Sequence, residues 1–199
     1  MPRIKAHNEE NEPILENILS GLRYKKIIKH ITNGSNVLDL GCGYNAGFLK
    51  KIQNRDCECF GLDISVNKEL HLDKVILAEH NLNERLPFAD NTFDYVASLA
   101  NLEHLTNPDA LLAEVYRVLK PGGSLLLTSP SIYAKPVLEF LSFKLHLISE
   151  NEIKDHKNYF NKNILTNLCK KVGFSDIKHE YFQFFMNNFI LVSKSLNNN

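Results

Sequence analysis

A chain of 199 residues with 44% hydrophobic content suits one globular domain that buries roughly 70% of its unfolded surface, and is short for two full domains. Lysine plus arginine and aspartate plus glutamate number 23 each, so no global basic field exists to hold a long stretch of nucleic acid. No apolar run approaches the roughly 20 residues of a membrane span, and no leader-like apolar run follows a basic start. Cys42, Cys57, Cys59 and Cys169 show neither C-x-x-C pairing nor histidines at zinc-finger spacing, so reduced thiols without a metal are expected in a soluble cytoplasmic protein.

Residues 1–12 are polar. After Pro13, Ile14, Leu15, Ile18, Leu22, Ile27, Ile28 and Ile31 recur at helical spacing around Gly21, which predicts one or two helices before the first strand. They cover one side of a sheet or, through Arg23 and Tyr24, help roof a ligand site. The turn Asn33-Gly34-Ser35 leads into a strand at 36–40. The run V-L-D-L-G-C-G-Y-N-A-G at 37–47 then reads as buried strand, glycine-rich turn and helix, the helix spanning 46–52. Gly41 and Gly43 allow backbone angles and a close ligand approach that a Cβ forbids, and the amides after the turn point at the ligand. The dinucleotide fingerprint G-x-G-x-x-G fails here only at Ala46, so the turn alone leaves the ligand open.

A second strand at 59–62 ends at Asp63, 24 residues beyond Asp39. An acid there accepts hydrogen bonds from the ribose hydroxyls of an adenosine, or else caps a helix at 65–72. A third buried strand is predicted at 75–78, followed by Glu79, His80, Asn81, Leu82 and Asn83. In L-P-F-A-D-N-T-F-D-Y-V at 86–96, Asp90-Asn91 supplies a turn, Phe93, Tyr95, Val96 and Ala97 build a central strand, and Asp94 serves structure near the strand start. Ligands of open parallel sheets bind beyond the carboxyl ends of the strands, so residues 98–105 are expected to line the site with Asp39 and Asp63. Asn107-Pro108 opens a helix through 119 with Ala110, Leu111, Val115, Val118 and Leu119 buried, which R-V-L-K-P-G-G at 117–123 stops before a strand at 124–128. The run 136–148 is helix-like and apolar on more than one face. A helix at 161–172 ending at Gly173, a strand at 174–181 and an antiparallel partner at 189–193 complete the chain.

The D-x-G-x-G turn of Asp39, Gly41 and Gly43, the run at 86–96, the pair Glu103-His104, R-V-L-K-P-G-G at 117–123 and K-V-G-F at 171–174 together resemble the class I S-adenosylmethionine-dependent methyltransferases, with a type 11-like methyltransferase domain. The resemblance covers about residues 37–174. It implies an α/β, three-layer Rossmann-like fold with a mostly parallel seven-stranded sheet, an antiparallel edge hairpin and helices on both faces. It implies one domain over 1–199, divided into an N-terminal helical cap (1–32), a cofactor-binding core (33–130), an inserted helical substrate segment (131–158) and a last helix with a C-terminal hairpin (159–199).

The same resemblance implies that S-adenosylmethionine is the cofactor, with Asp39, Gly41, Cys42, Gly43, Asp63, Ile64, Asn81, Leu82 and Leu99 at its site. The glycine turn would cradle the amino acid end, Asp63 the ribose, and Asn81 with Leu82 the adenine. The activity implied is methyl transfer by in-line displacement to an oxygen, nitrogen or carbon nucleophile of a small-molecule acceptor. His104 and His156 are the substrate contacts or bases; Glu103 and His104 alternatively anchor a loop. The segment 136–148 forms part of the substrate site, a packing helix or a homodimer contact. Two departures stand out: Asn45 replaces a frequent third glycine, in a residue type that tolerates the left-handed region, and Asn81 replaces a more usual aspartate. They keep open a degraded cofactor-binding or scaffold protein of the same fold, whereas a dehydrogenase lacks room for a second substrate domain.

Overall fold

The computed structural model describes residues 14–143 and 157–196. Its centre is a seven-stranded sheet in the order β3-β2-β1-β4-β5-β7-β6. The strands are β1 (Asn36–Leu40), β2 (Glu58–Asp63), β3 (Val75–Glu79), β4 (Phe93–Leu99), β5 (Leu119–Pro130), β6 (Ser175–Phe182) and β7 (Asn187–Ser193). Strands β1 to β5 pair in parallel, and β7 runs antiparallel to both β5 and β6. The helices are α1 (Ile14–Ile28), α2 (Gly47–Ile52), α3 (Pro108–Val118), α4 (Ala134–Phe143) and α5 (Lys162–Val172).

Period-two alternation sends neighbouring strand residues into separate cores. Leu38, Leu40, Val96, Leu125 and Leu127 pack with Leu112 and Val115 of α3 and Leu165 and Cys169 of α5. Val37, Ala97, Leu126 and Phe189 pack with Ile27 of α1 and Phe48, Leu49 and Ile52 of α2. Both faces of the central strands are covered, which is why they read as continuous apolar runs. Helix ends follow capping chemistry. Asn107 accepts from the Ala110 N–H with Pro108 in the first turn, Asn161 accepts from the Ile164 N–H, and Gly173 ends α5 at φ 109°.

The motifs at 86–96 and 117–123 meet as a clamp. Arg117 donates to the carbonyls of Leu86 and Phe88 and to Asp90 and Glu114. Hydrogen bonding to Arg117 holds the Glu114 carboxyl below its ordinary range. Asp94 accepts from the Asn36 N–H and from Lys120, the structural work its position predicts. These runs therefore fix the fold at the edge of the sheet opposite the expected site.

Three expectations need correction. No helix forms at 65–72; Asn67 Oδ1 accepts from the Glu69 N–H in a local turn that competes with helix, while Val66 is buried and Leu70 and Leu72 are partly buried as anchors. Strand β3 is an edge strand with Ile76 59% exposed, since only β2 flanks it, so it is not fully buried. Strand β5 begins at Leu119, whose extended backbone ends α3, and an irregularity between Phe93 and Tyr95 absorbs the change of register. The single helix that precedes β1 within the described residues agrees with the one or two expected. Of the run 136–148, residues 144–148 lie outside the described residues, as does His156.

Candidate functional site

Strands β1 and β2 end in register, Leu40 opposite Leu62, which brings Asp39 and Asp63 to one edge of the sheet. Strand β4 ends on the other side of β1, with Ser98 opposite Leu40. The chain leaves β1 for β2 on one side and later enters β4 on the other, so this edge is the switch point at which open α/β sheets bind ligands.

The glycine turn crosses that point. The N–H groups of Gly41 and Cys42 both donate to Leu62 O, at 2.8 and 3.1 Å, and the Gly43 N–H donates to Asp63 Oδ2 at 2.9 Å. Gly41 has φ 77°, and a Cβ placed there would stand 2.7 Å from Asn101 Cγ, so the turn and the loop after β4 pack at a distance only glycine permits. Gly43 has φ 73°, and a Cβ there would meet nothing within 4 Å, leaving an open side. The third left-handed residue is Ala46, at φ 49° and ψ 48°, rather than Asn45. Asparagine at 45 therefore carries no backbone strain, and the strain falls on an alanine whose methyl is buried in the core.

Asp39 is 1% exposed, and its Oδ1 has no hydrogen-bond partner among the described residues. Burial, then the neighbouring Asp63 charge, pushes its carboxyl up to about 8. Ser98 Oγ, Asn101 Nδ2 and Ser129 Oγ are likewise buried and without a partner among the described residues. Natural structures leave few such atoms; Asn101 stands against Gly41 of the turn and Asp39 shares its sheet face with Asp63, whereas Ser98 and Ser129 lie on the opposite face with Val96 and Leu127. Asp39 and Asn101 offer a carboxyl and an amide donor to something that enters from the edge.

The remaining predicted residues fall in varied places. Cys42 is buried, and burial with the two aspartates raises its thiol well above the ordinary range, which suits a wall and not a nucleophile. Ile64 and Leu99 are partly buried near the same edge. Asn81 is exposed, its Oδ1 accepting from the Asn83 N–H and its Nδ2 donating to Glu84, and Leu82 is buried in the core. Glu103 is buried in a single turn after β4, and its carbonyl accepts from the N–H groups of Lys157 and Asn158 at 2.9 and 3.1 Å. The loop-anchoring account fits that carbonyl; His104 follows it, partly buried. Tyr24 stands against Gly47 and Phe48, packing α1 on α2, and Arg23 turns back to Leu19 O and Ser20. Tyr24 thereby reaches the last residue of the glycine-rich run.

Asn101 falls in the stretch 98–105 expected to line the site, but the sequence did not single it out, because an isolated amide in an apolar stretch has no spacing pattern. Among the described residues no group of histidine, cysteine, aspartate or glutamate could hold a metal ion, and no helix is long and apolar enough to cross a membrane.

Comparison with known proteins places this geometry. A family model described as a methyltransferase domain matches residues 15–179. The chain is 35% identical over 144 residues to the ubiquinone/menaquinone biosynthesis C-methyltransferase UbiE of Neisseria meningitidis, covering 65% of this chain and 58% of the relative. It is 29% identical over 169 residues to phosphoethanolamine N-methyltransferase 2 of Caenorhabditis elegans, covering 78% of this chain and 36% of the relative. The chain thus spans about half or less of the length of these curated relatives. Among solved structures, a SAM-dependent methyltransferase from Archaeoglobus fulgidus superposes with TM-score 0.70 at 19% identity, covering 89% of this chain and 94% of that one. Haemonchus contortus phosphoethanolamine N-methyltransferase 2, solved with S-adenosyl-L-methionine, gives TM-score 0.69 at 21% identity over 87% of this chain and 52% of that one.

Proposed function

Residues 15–179 make this chain a member of the methyltransferase domain family, and on that footing we propose that it binds S-adenosylmethionine and transfers its methyl group to a nucleophilic oxygen, nitrogen or carbon of a small-molecule acceptor. The observation that carries this reading is the buried, unpartnered Asp39 carboxyl and Asn101 amide beneath a glycine turn whose Gly43 side is open.

The sulfonium supplies an electrophilic methyl carbon that the acceptor displaces in line. The protein's part is to bind, orient and exclude water. Asp39 and Asn101 match the two ends of an amino acid moiety, an acceptor for its ammonium and a donor for its carboxylate. A carboxyl pushed up to about 8 is largely protonated near neutrality, and an incoming cation would favour its ionised form. Asp63 holds the Gly43 N–H through one oxygen, which sets the turn, and is the acceptor for the ribose hydroxyls. Cys42, Ile64 and Leu99 wall the site; Leu82 backs the adenine, and Asn81 meets its amino group by releasing its local turn. His104 and His156 are the candidates for an acceptor contact, and either acts as base only where the acceptor must lose a proton. Holding acceptor and methyl donor at attack geometry can supply about 7–11 kcal/mol in favourable cases. The small-molecule acceptor rests on the balanced charge of the chain and on the acceptors named for its relatives.

Thermal unfolding tests the cofactor reading with S-adenosylmethionine, S-adenosylhomocysteine or NAD in separate samples. Ligand at about 100 times its Kd adds about 2.7 kcal/mol, a rise of about 5–10 °C for this size. Both adenosyl ligands should raise the midpoint, and NAD should not. Folded protein that shifts with neither adenosyl ligand overturns the proposal in favour of a degraded site.

A further inference from the structure

The turn between β6 and β7 lies at the same edge of the sheet as the glycine turn, because Pro130, at the end of β5, pairs with Asn187 at the start of β7. Its tip is apolar and exposed: Phe184 is 96% and Phe185 64% accessible. Gln183, Phe184 and Phe185 all take left-handed backbone angles, at φ 51°, 56° and 65°. Bulky side chains avoid that region, and an unfavourable turn persists only when its surroundings enforce it. Here they do. Ser131 donates from Oγ to Phe185 O and from its N–H to Met186 O, and Gln183 donates from Nε2 to Leu19 O of α1. The result is a fixed, convex tip from which two phenylalanines project. Behind it Phe185 meets Tyr181 and Tyr181 meets Tyr133, with ring centroids 5.7 and 5.8 Å apart, and Ile132 and Val137 add exposed apolar surface.

Charge singles out the partner. The segments that meet at this end of the edge, residues 17–25, 131–138, 157–163 and 181–187, contain Arg23, Lys25, Lys135, Lys157 and Lys162 and no aspartate or glutamate, with Glu16 and Glu139 just beyond them, in a chain that holds 23 basic and 23 acidic residues overall. Glu180, just before Tyr181, is already paired with Lys26. Lys135 lies over the Tyr159 ring, and the Lys162 N–H donates to the Tyr181 hydroxyl, so both belong to the aromatic cluster. A second copy of the chain docking here in two-fold fashion would bring like charges together.

We propose that the β6–β7 tip seats this protein on an anionic lipid bilayer surface, with Phe184 and Phe185 entering the boundary between headgroups and acyl chains and the flanking lysines facing the headgroups. The contact is peripheral and reversible, since a pair of aromatic side chains is far from a membrane span. It turns the edge that carries Asp39 and Asp63 toward the lipid, and it is independent of the methyl-transfer reading.

The chain has no tryptophan, so Phe184→Trp gives a single reporter. With phosphatidylcholine vesicles containing phosphatidylglycerol, its emission should move to the blue and be quenched by brominated acyl chains. The unsubstituted protein should co-sediment with the same vesicles, and its binding should fall by about tenfold or more when phosphatidylglycerol is omitted or salt is raised. Phe184→Ser with Phe185→Ser should abolish co-sedimentation while leaving the urea unfolding midpoint unchanged or higher. The proposal is overturned if the unsubstituted protein does not sediment with anionic vesicles, or if the folded double variant sediments equally well. It is also overturned if the emission of the Phe184→Trp variant shifts to the blue with rising protein concentration in the absence of lipid, which would mean that a second copy covers the tip.

Discussion

Two sets of buried polar side chains lie along one edge of the sheet, and the fold treats them in opposite ways. Between β5 and β7, Asn188 is fully buried and uses both halves of its carboxamide: Nδ2 reaches the carbonyls of Ser129, Pro130 and Phe160 at 3.4, 3.3 and 3.0 Å, and Oδ1 pairs with His179 Nε2 at 2.9 Å. Between β1 and β4, Asp39 Oδ1, Ser98 Oγ and Asn101 Nδ2 have no hydrogen-bond partner among the described residues. The first set is complete and stabilises the chain as it stands. The second costs stability, because a buried polar group without a partner costs about 1–3 kcal/mol, and on the proposed cofactor reading binding recovers that cost. Equal burial and similar chemistry thus divide into architecture and site by whether the hydrogen bonds close within the protein.

Substitutions in the two sets should behave as opposites. The largest effect is expected at Asn188. Asn188→Leu removes the contacts of Nδ2 with the Ser129, Pro130 and Phe160 carbonyls and of Oδ1 with His179, and should lower stability by about 3 kcal/mol or more in urea unfolding. A loss below about 1 kcal/mol would mean the carboxamide is not the hub its contacts describe. Asp63→Ala, on the other side, should reduce S-adenosylmethionine affinity by about tenfold or more, about 1.4 kcal/mol by calorimetry, with a smaller effect on unfolding. Unchanged affinity would remove Asp63 from the ribose.

Asp39→Asn sharpens the contrast through pH. The folded carboxyl is raised from 3.8 to about 8, so between those values the native state keeps a proton that the unfolded chain gives up. Stability from this group is complete below about pH 4 and is lost as pH rises toward 8. The asparagine variant should flatten that slope and be the more stable protein at pH 8, yet bind the cofactor less tightly. A variant that lost stability at pH 8 would show that the carboxylate already has a partner. The smallest change is Ala46→Gly, which relieves a left-handed alanine but gives up a buried methyl and adds the entropy cost of glycine, so stability should stay within about 1 kcal/mol of the unsubstituted protein in urea unfolding.

The readable parts of the sequence were those where several residues share one local duty. Val37 to Leu40 had to be a covered central strand, and Asn107-Pro108 and Gly173 had to bound helices, because periodicity and capping act within a few residues. The glycine turn was legible for the same reason, but its strained position was not: the left-handed angle passed from Asn45 to Ala46 because the alanine methyl packs in the core beside α2. The helix expected at 65–72 failed where a single asparagine side chain captured its own backbone. Asn101 and Asn188 gave no sign, since their contacts come from residues distant in sequence: Asn101 packs on Gly41, and Asn188 reaches Phe160, 28 positions away.

The position of β7 also has a consequence for synthesis. It is the last of the described strands to be made, yet it separates β5 from β6 and supplies the hydrogen bonds of both. Until residues 187–193 have left the ribosome, β5 presents a long bare edge and β6 has nothing to pair with. The half of the sheet carrying the glycine turn is already contiguous by then, so the two halves mature in sequence. A nascent chain stalled before Asn187 is left with the glycine turn in place beside an open, aggregation-prone strand.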